Sequence, residues 1–349
     1  PTDVNLDPSS IKEYLEKDSL VELLRVKNGI FELYDYYYKF RKKTDLSIIN
    51  NLVQEIKKSK PDMAGFSLTS NYDFAHFEYA SDYTIEAINR IKKELDIPII
   101  VMGQMMPTLG NLEQHIFNTL NIDYFLFDEG YMQLTPLVKR IESGKSPKDI
   151  QNIAYKEKGR IKSNFQKCSI DFNSLPAPDF SDFDLDLYFF PERILPINVS
   201  SLCYWKKCVF CAEIPSIGHN IMGEEKFMEI IDNYRNKFNT HFVEVQSTCP
   251  SPNQMIRYME LMDSEKIEDM FFALLSRFEN LYAQKDIAKL FYRGGVRYVM
   301  WGLESGNQKI LERMQKGINL KMVSKILSNF HQAGIKNMTY VIVGFPGET

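Results

Sequence analysis

Cysteine is scarce in this chain. There are five in 349 residues, and three of them, Cys203, Cys208 and Cys211, fall within nine positions. That usage excludes a disulfide framework, since three clustered thiols cannot pair off, and it points to a reducing cytoplasm and a metal. No run approaches the roughly 20 apolar residues that span a bilayer, and no charged-then-apolar opening marks a secretory signal. Nor is one sign of charge in excess: 42 Lys and Arg against 46 Asp and Glu give a formal net charge of −4. That balance gives no electrostatic reason for a nucleic-acid partner. His76, His115, His241 and His331 stand on separate stretches without ligand spacing, so none is assigned a role. Short repeats and low-complexity tracts are also missing. What remains is 44% hydrophobic residues, in a chain long enough for two domains.

The opening 1–165 reads as an α/β domain behind a helical segment. Apolar residues recur every three or four positions in "IKEYLEKDSLVELLRVK" and "LSIINNLVQEIKKSK". The aromatic "YDYYYKF" (34–40) reads as core or interface packing. Short apolar strands in "DMAGFSLTS" (62–70), "IPIIVMG" (97–103) and "IDYFLF" (122–127) alternate with helices. That alternation predicts a parallel, doubly wound sheet, followed by a hairpin turning at Lys158-Gly159. Residues 166–193, rich in Pro and Asp from 171 onward, read as a linker pinned by its aromatics. From 194 to 349 a second series follows, with strands near 195–200, 241–246, 270–275, 296–302 and 336–344. Five successive βα units predict an α/β barrel or part of one, with its chemistry at the C-terminal strand ends. The chain opens on Pro1 and stops within "VIVGFPGET", where a loop is expected to lead into more structure. It is therefore read as part of a longer protein.

The cysteine cluster follows the first strand of that second series. Two metals suit it on spacing alone. An iron–sulfur cubane held by three thiolates leaves one iron open to a small molecule. Zinc suits Cys208-x-x-Cys211, but a closed tetrahedral site needs a fourth ligand, for which His219 is the nearby candidate.

Three stretches taken together favour the first: "CYWKKCVFC", "MWGLESGNQKILERMQKG" (300–317) and "VIVGFPGET" (341–349). In that order, on barrel-like strands, they resemble the radical S-adenosylmethionine superfamily, and more closely its members with an N-terminal cobalamin-binding-type domain. The spacing C-x4-C-x2-C departs from the superfamily's commoner C-x3-C-x2-C but is frequent in that branch. The resemblance implies that Cys203, Cys208 and Cys211 ligate a [4Fe–4S] cluster. Its open iron would chelate S-adenosylmethionine, whose one-electron cleavage yields a 5′-deoxyadenosyl radical. It also implies positions for that cosubstrate: Phe210 near the adenine, Glu304 and Ser305 near the ribose, and Gln246 at the amino acid end. Arg277 would pair its carboxylate in two-pronged fashion, and Gly344 would pack near the adenine. A carboxylate at 304 suits ribose hydroxyls because, when ionised, it only accepts hydrogen bonds. The plainer role for Glu304 or Ser305 is to cap a helix beginning near Gly306.

In the first domain the resemblance extends to "GFSLTS" (65–70), "MGQMMPT" (102–108) and "FDEGYMQL" (127–134). It implies cobalamin contacts from Ser67, Leu68, Thr69, Gly103, Gln104, Glu129 and Gly130. Gln104 stands where the branch usually has a second glycine, and the Asp-x-His-x-x-Gly signature is absent. Cys249, after the second barrel strand, is either an inert buried thiol or a catalytic hydrogen-atom donor or substrate contact. Cys168 reads as an ordinary thiol.

The resemblance thus implies a radical enzyme, with cobalamin-dependent methylation or related modification of an unactivated carbon in a peptide or natural product. An electron donor such as flavodoxin or ferredoxin would serve it. A cobalamin-independent radical epimerase, cross-linking or cyclising enzyme is the second reading. A zinc-stabilised, non-catalytic binding module is the third.

Overall fold

The computed structural model describes residues 47–68, 82–103, 117, 120–127, 130–165, 171–187, 192–201, 203–211, 220–247 and 249–348. The helical opening before 47, the aromatics of 34–40, and Cys168, His76, His115 and His219 lie outside the described residues. The chain divides into two units, 1–166 and 167–349.

In the first unit, α1 (Ser47–Ser59) leads to β1 (Ala64–Leu68), then α2 (Asp82–Leu95) and β2 (Ile99–Gly103). There follow β3 (Tyr124–Phe127), α3 (Leu134–Glu142) and a hairpin of β4 (Ile153–Glu157) and β5 (Arg160–Ser163). The strands hydrogen-bond in sequential order, β1-β2-β3-β4-β5. Alternation along β2 decides which helices cover which face. Ile99 and Val101 pack with Ile49, Val53, Ile88 and Ile91 of α1 and α2. Ile100 points the other way and packs with Leu137 of α3. Helices therefore cover both faces, as the alternating pattern predicts. The sheet is mixed rather than wholly parallel: β1–β2 and β2–β3 are parallel, β3–β4 and β4–β5 antiparallel. The β4–β5 pairing has a local cause. Lys158 and Gly159 adopt φ of 51° and 74° and form a two-residue turn. Such a turn joins only antiparallel strands.

The second unit opens with the linker. Phe172 is buried, and the Phe180 ring meets Tyr234 and Phe238 edge-on at 5.8 and 5.7 Å. The aromatics pin this segment to the domain, as its composition leads one to expect. Then come β6 (Ile194–Ile197), α4 (Glu224–Asn236), β7 (Phe242–Val245), α5 (Pro252–Ser264), β8 (Phe271–Arg277) and α6 (Lys285–Arg293). The described chain closes with β9 (Val296–Glu304), α7 (Gln308–Arg313), α8 (Leu320–Gln332) and β10 (Lys336–Val341). All four pairings, β6–β7, β7–β8, β8–β9 and β9–β10, are parallel. Each strand pairs with its successor, which is the topology of part of an α/β barrel. Its core is aromatic: Phe227 stacks on Tyr258 at 4.1 Å. The fully buried Trp301 stacks on Phe278 at 4.8 Å and donates from Nε1 to Asn337 Oδ1 at 2.7 Å. Because every strand runs the same way, all five C-terminal ends open on one side.

Candidate active site

The cysteine loop begins where β6 ends, and the residues before it are firmly tied. Ser247 Oγ accepts from the backbone N–H of Val199 and Ser200 at 2.7 and 2.9 Å. Gln254 Nε2 donates to the Val199 carbonyl at 2.7 Å. From this anchor the loop runs over the strand ends. Tyr204 N–H donates to the Cys249 carbonyl at 3.3 Å, and Cys211 N–H to the Cys208 carbonyl at 3.2 Å. None of the three thiols is in a disulfide; Cys203 and Cys208 are half-buried and Cys211 is exposed.

The loop is held from beneath by the turn after α7. Met314 is the C-cap of that helix. Gln315 N–H donates to the Glu312 carbonyl and Lys316 N–H to the Leu311 carbonyl, both at 3.0 Å. With Gln315 at φ 53°, this is a Schellman closure carrying glutamine where glycine is usual. The turn's carbonyls then point at the cysteine loop. Met314 O accepts from Val209 N–H at 3.1 Å and Gln315 O from Trp205 Nε1 at 2.9 Å. Lys316 O accepts from Arg277 Nη2. The Trp205 ring lies on the backbone of Gly317, where an added Cβ would come within 2.2 Å of Cζ2. Glycine is required there by close approach as well as by its φ of 69°.

Charge is distributed unevenly among the sulfurs. The Cys249 thiol hydrogen-bonds to the Cys203 sulfur, and this above all lowers the Cys203 pKa to about 6, against the effect of burial. The backbone N–H groups of Trp205 and Lys206 and the Arg277 charge act in the same direction. Cys249, only 4% exposed, moves the other way, well above the ordinary thiol value. Burial raises Cys208, while the charges of Lys316 and Arg277 oppose it. The cations nearest the thiols are thus two buried ones, Arg277 and Lys316. Lys206 and Lys207 of the loop itself are exposed, with Lys207 Nζ 4.8 Å over the Trp205 ring.

Arg277, expected to pair a carboxylate in two-pronged fashion, is already engaged on both terminal nitrogens by protein groups. Nη1 lies 3.1 Å from Glu279 Oε1, Nη2 is taken by the Lys316 carbonyl, and the guanidinium sits 3.7 Å over Trp205. Tyr204 hydroxyl also donates to Glu279. Among the described residues Arg277 Nε alone of its nitrogens is buried without a partner. The arginine supports the loop and contributes its charge, and its buried Nε–H is left without a protein partner.

Glu304 closes β9 with φ of 69°, a left-handed conformation that costs a non-glycine residue on the order of 1–3 kcal/mol. It is 8% exposed, and its Oε1 accepts from Lys316 Nζ at 2.8 Å. Gly302 makes room: a Cβ there would stand 2.8 Å from Glu304 Oε1 and 3.0 Å from Lys316 Nζ. The helix expected near Gly306 starts at Gln308, and its cap is Asn307, whose Oδ1 accepts from Lys309 N–H at 2.9 Å. Ser305 instead accepts from Asn307 N–H at 3.2 Å. Neither Glu304 nor Ser305 is the helix cap.

The other expected positions are as follows. Phe210 is 36% exposed, with Lys316 Nζ 5.7 Å from its ring. Gln246 is exposed at the end of β7. Gly344, at φ 85°, donates to Glu348 Oε2 at 2.7 Å. In the first unit Ser67 and Leu68 end β1 beside Met102 and Gly103 of β2. Gly130, at φ 70°, lies against them: an added Cβ would meet Leu126 at 3.0 Å and Met102 at 3.4 Å. Ser67, Leu68, Gly103 and Gly130 share the C-terminal edge of the parallel strands, where open α/β sheets take ligands. Thr69, Gln104 and Glu129 lie outside the described residues.

The donor set discriminates between metals. A tetrahedral zinc at about 2.3 Å from each sulfur needs its ligands converging on one point. Among the described residues no three His, Cys, Asp or Glu side chains are so arranged. Three free thiols backed by two buried cations suit an anionic, thiolate-ligated cluster. Lys316, Trp205, Tyr204 and Glu279 were not singled out from sequence. Lys316 and Trp205 lie inside the quoted motifs, but nothing in a lone lysine or tryptophan says that it will be buried.

Residues 197–349 match the family model of the Radical SAM superfamily. An uncharacterized methyltransferase of Pyrococcus horikoshii is 24% identical over 323 residues, which cover 88% of this chain and 68% of that protein. A putative methylthiotransferase of Methanocaldococcus jannaschii is 24% identical over 319 residues, covering 86% and 65%. Among solved structures, the cobalamin-dependent S-adenosylmethionine radical enzyme OxsB, with aqua-cobalamin and S-adenosylmethionine bound, superposes with a TM-score of 0.63 at 19% identity. The radical S-adenosylmethionine methyltransferase TsrM of Kitasatospora setae, with cobalamin and a [4Fe–4S] cluster bound, gives 0.66 at 15%. The chain spans 42% and 63% of those two proteins. At such identities the likeness establishes a shared fold.

Proposed function

We propose that this chain acts as a radical S-adenosylmethionine enzyme, with Cys203, Cys208 and Cys211 holding a [4Fe–4S] cluster. The observation that carries the reading is the three-thiol loop at the barrel mouth, backed by buried Arg277 and Lys316 and faced by the strained carboxylate of Glu304. When bound, cluster and S-adenosylmethionine supply one-electron cleavage of a sulfonium bond and so a carbon-centred radical. The chain's own part is to hold and orient. Cys203, kept largely as thiolate by Cys249, is ready to ligate at neutral pH. Cys208 lies under the Lys316 and Arg277 charges. Glu304, fixed by Lys316, presents a carboxylate suited to ribose hydroxyls. In the first unit Ser67, Leu68, Gly103 and Gly130 form the edge that would take cobalamin, with Gly103 and Gly130 leaving backbone uncovered by a Cβ.

The reaction we favour is cobalamin-dependent methylation, or a related modification, of an unactivated carbon in a peptide or natural product, with a flavodoxin- or ferredoxin-type reductant. The names and bound groups of the similar proteins support this reading. No helix among the described residues is long and apolar enough to cross a membrane. Anaerobic reconstitution with iron, sulfide and hydroxocobalamin, followed by product analysis, tests it. Methylation gives S-adenosylhomocysteine alongside 5′-deoxyadenosine; 5′-deoxyadenosine alone would favour cobalamin-independent radical chemistry.

A further inference from the structure

The Schellman turn after α7 needs only the backbone of residue 316, and an apolar side chain commonly occupies that position. Here it is a lysine, 7% exposed. Its ammonium reaches Glu304 Oε1 at 2.8 Å and lies 5.7 Å from the Phe210 ring. Its carbonyl holds Arg277. A buried ion pair adds little net stability over a well-packed apolar pair, so folding alone does not account for it. The pair also coincides with a backbone outlier at Glu304 and with the space left by Gly302. Residues so over-determined cluster at functional sites.

We propose that Lys316 is the positioning residue of this site: it fixes the Glu304 carboxylate at the strained end of β9 and sets a buried positive charge against the cysteine loop. The inference rests on the reading of the site given above. The same ammonium lies 5.7 Å from the ring of Phe210, which stands between Cys208 and Cys211, so its charge reaches the loop as well as the carboxylate.

The test compares the wild type with Lys316→Gln, Lys316→Arg and, as a charge-loss control on the exposed face of α7, Lys309→Gln. Each is reconstituted with iron and sulfide. The cluster's midpoint potential is read by redox titration with EPR, and S-adenosylmethionine affinity by equilibrium dialysis. Lys316→Gln is expected to lower the potential and weaken S-adenosylmethionine about tenfold, while Lys316→Arg stays within about threefold of wild type. Lys309→Gln should match wild type in both. A Lys316→Gln protein with unchanged potential and affinity, altered only in melting temperature, overturns the inference. Should that variant not fold, Glu304→Gln is compared with Glu304→Gln/Lys316→Gln, neither of which leaves a buried carboxylate unpaired. A lower potential in the double variant supports the inference and equal potentials overturn it. If the wild type itself takes up no cluster, the reading of the whole site fails, an outcome distinct from a loaded wild type that Lys316→Gln merely equals.

Discussion

Cys249 and Cys203 behave as one unit. The hydrogen bond between the buried Cys249 thiol and the Cys203 sulfur lowers the Cys203 pKa to about 6 and raises that of Cys249. Cys249→Ala removes the donor. In the apoprotein, alkylation of Cys203 at pH 7 should slow several-fold, and its pH midpoint should climb from about 6 towards the ordinary thiol range. A profile unchanged by the substitution would show that Cys249 does not set the ionisation. The stability consequence follows in sign. A group whose pKa falls on folding stabilises the fold above its unfolded value and loses that contribution as pH drops through the folded one. For Cys203 the apoprotein therefore gains stability between about pH 6 and pH 9. The expected hydrogen-donor role for Cys249 is separate; turnover and product ratio unaffected by Cys249→Ala would end it. Gly302→Ala belongs to the same scale. Its methyl group cannot coexist with the present Glu304–Lys316 contact, and the repacking should cost roughly 1–3 kcal/mol in a denaturant melt. The three clustered thiols were readable from spacing because they are close in sequence. The Glu304–Lys316 and Cys203–Cys249 contacts were not, because burial and pairing across 12 or more positions are properties of the fold.

At the scale of elements, periodicity identified the strands well because the strand residues buried under the covering helices are strongly apolar. Trp301 on β9 is the clearest case: wholly buried, stacked on Phe278 and edge-on to Phe330 at 5.1 Å. Trp301→Ala should cost about 3–5 kcal/mol, read as a lowered urea midpoint with an unchanged slope. Helix ends were less legible. The start of α7 was expected near Gly306, since glycine and serine read as a boundary; the backbone bends two residues further before Asn307 caps it. Its far end was invisible, because a Schellman turn advertises itself through glycine and this one has Gln315. Relieving that left-handed glutamine by Gln315→Gly should stabilise by about 1 kcal/mol, a rise of about 2–4 °C in melting temperature for a domain of this size. A fall would mean that the Gln315 side chain contributes contacts of its own.

Over the whole molecule, the order of βα units announced two sheets and placed the cysteines at the strand ends of the second. The antiparallel edge of the first sheet was only half readable: the Lys158-Gly159 turn gave β4–β5, but nothing local specified that β4 would pair with β3 in reverse. The proposed radical chemistry draws on several elements of the second unit: one loop supplies thiols, β8 and the turn after α7 supply buried charge, and β9 supplies the carboxylate. The most direct test of that assembly is metal content after anaerobic reconstitution, for the wild type and for Cys203→Ala, Cys208→Ala and Cys211→Ala. The account predicts about four irons per wild-type chain with the brown absorption of a thiolate-ligated cluster, and loss of both in each variant. Stoichiometric zinc without that absorption, or a cluster that survives all three substitutions, would contradict it.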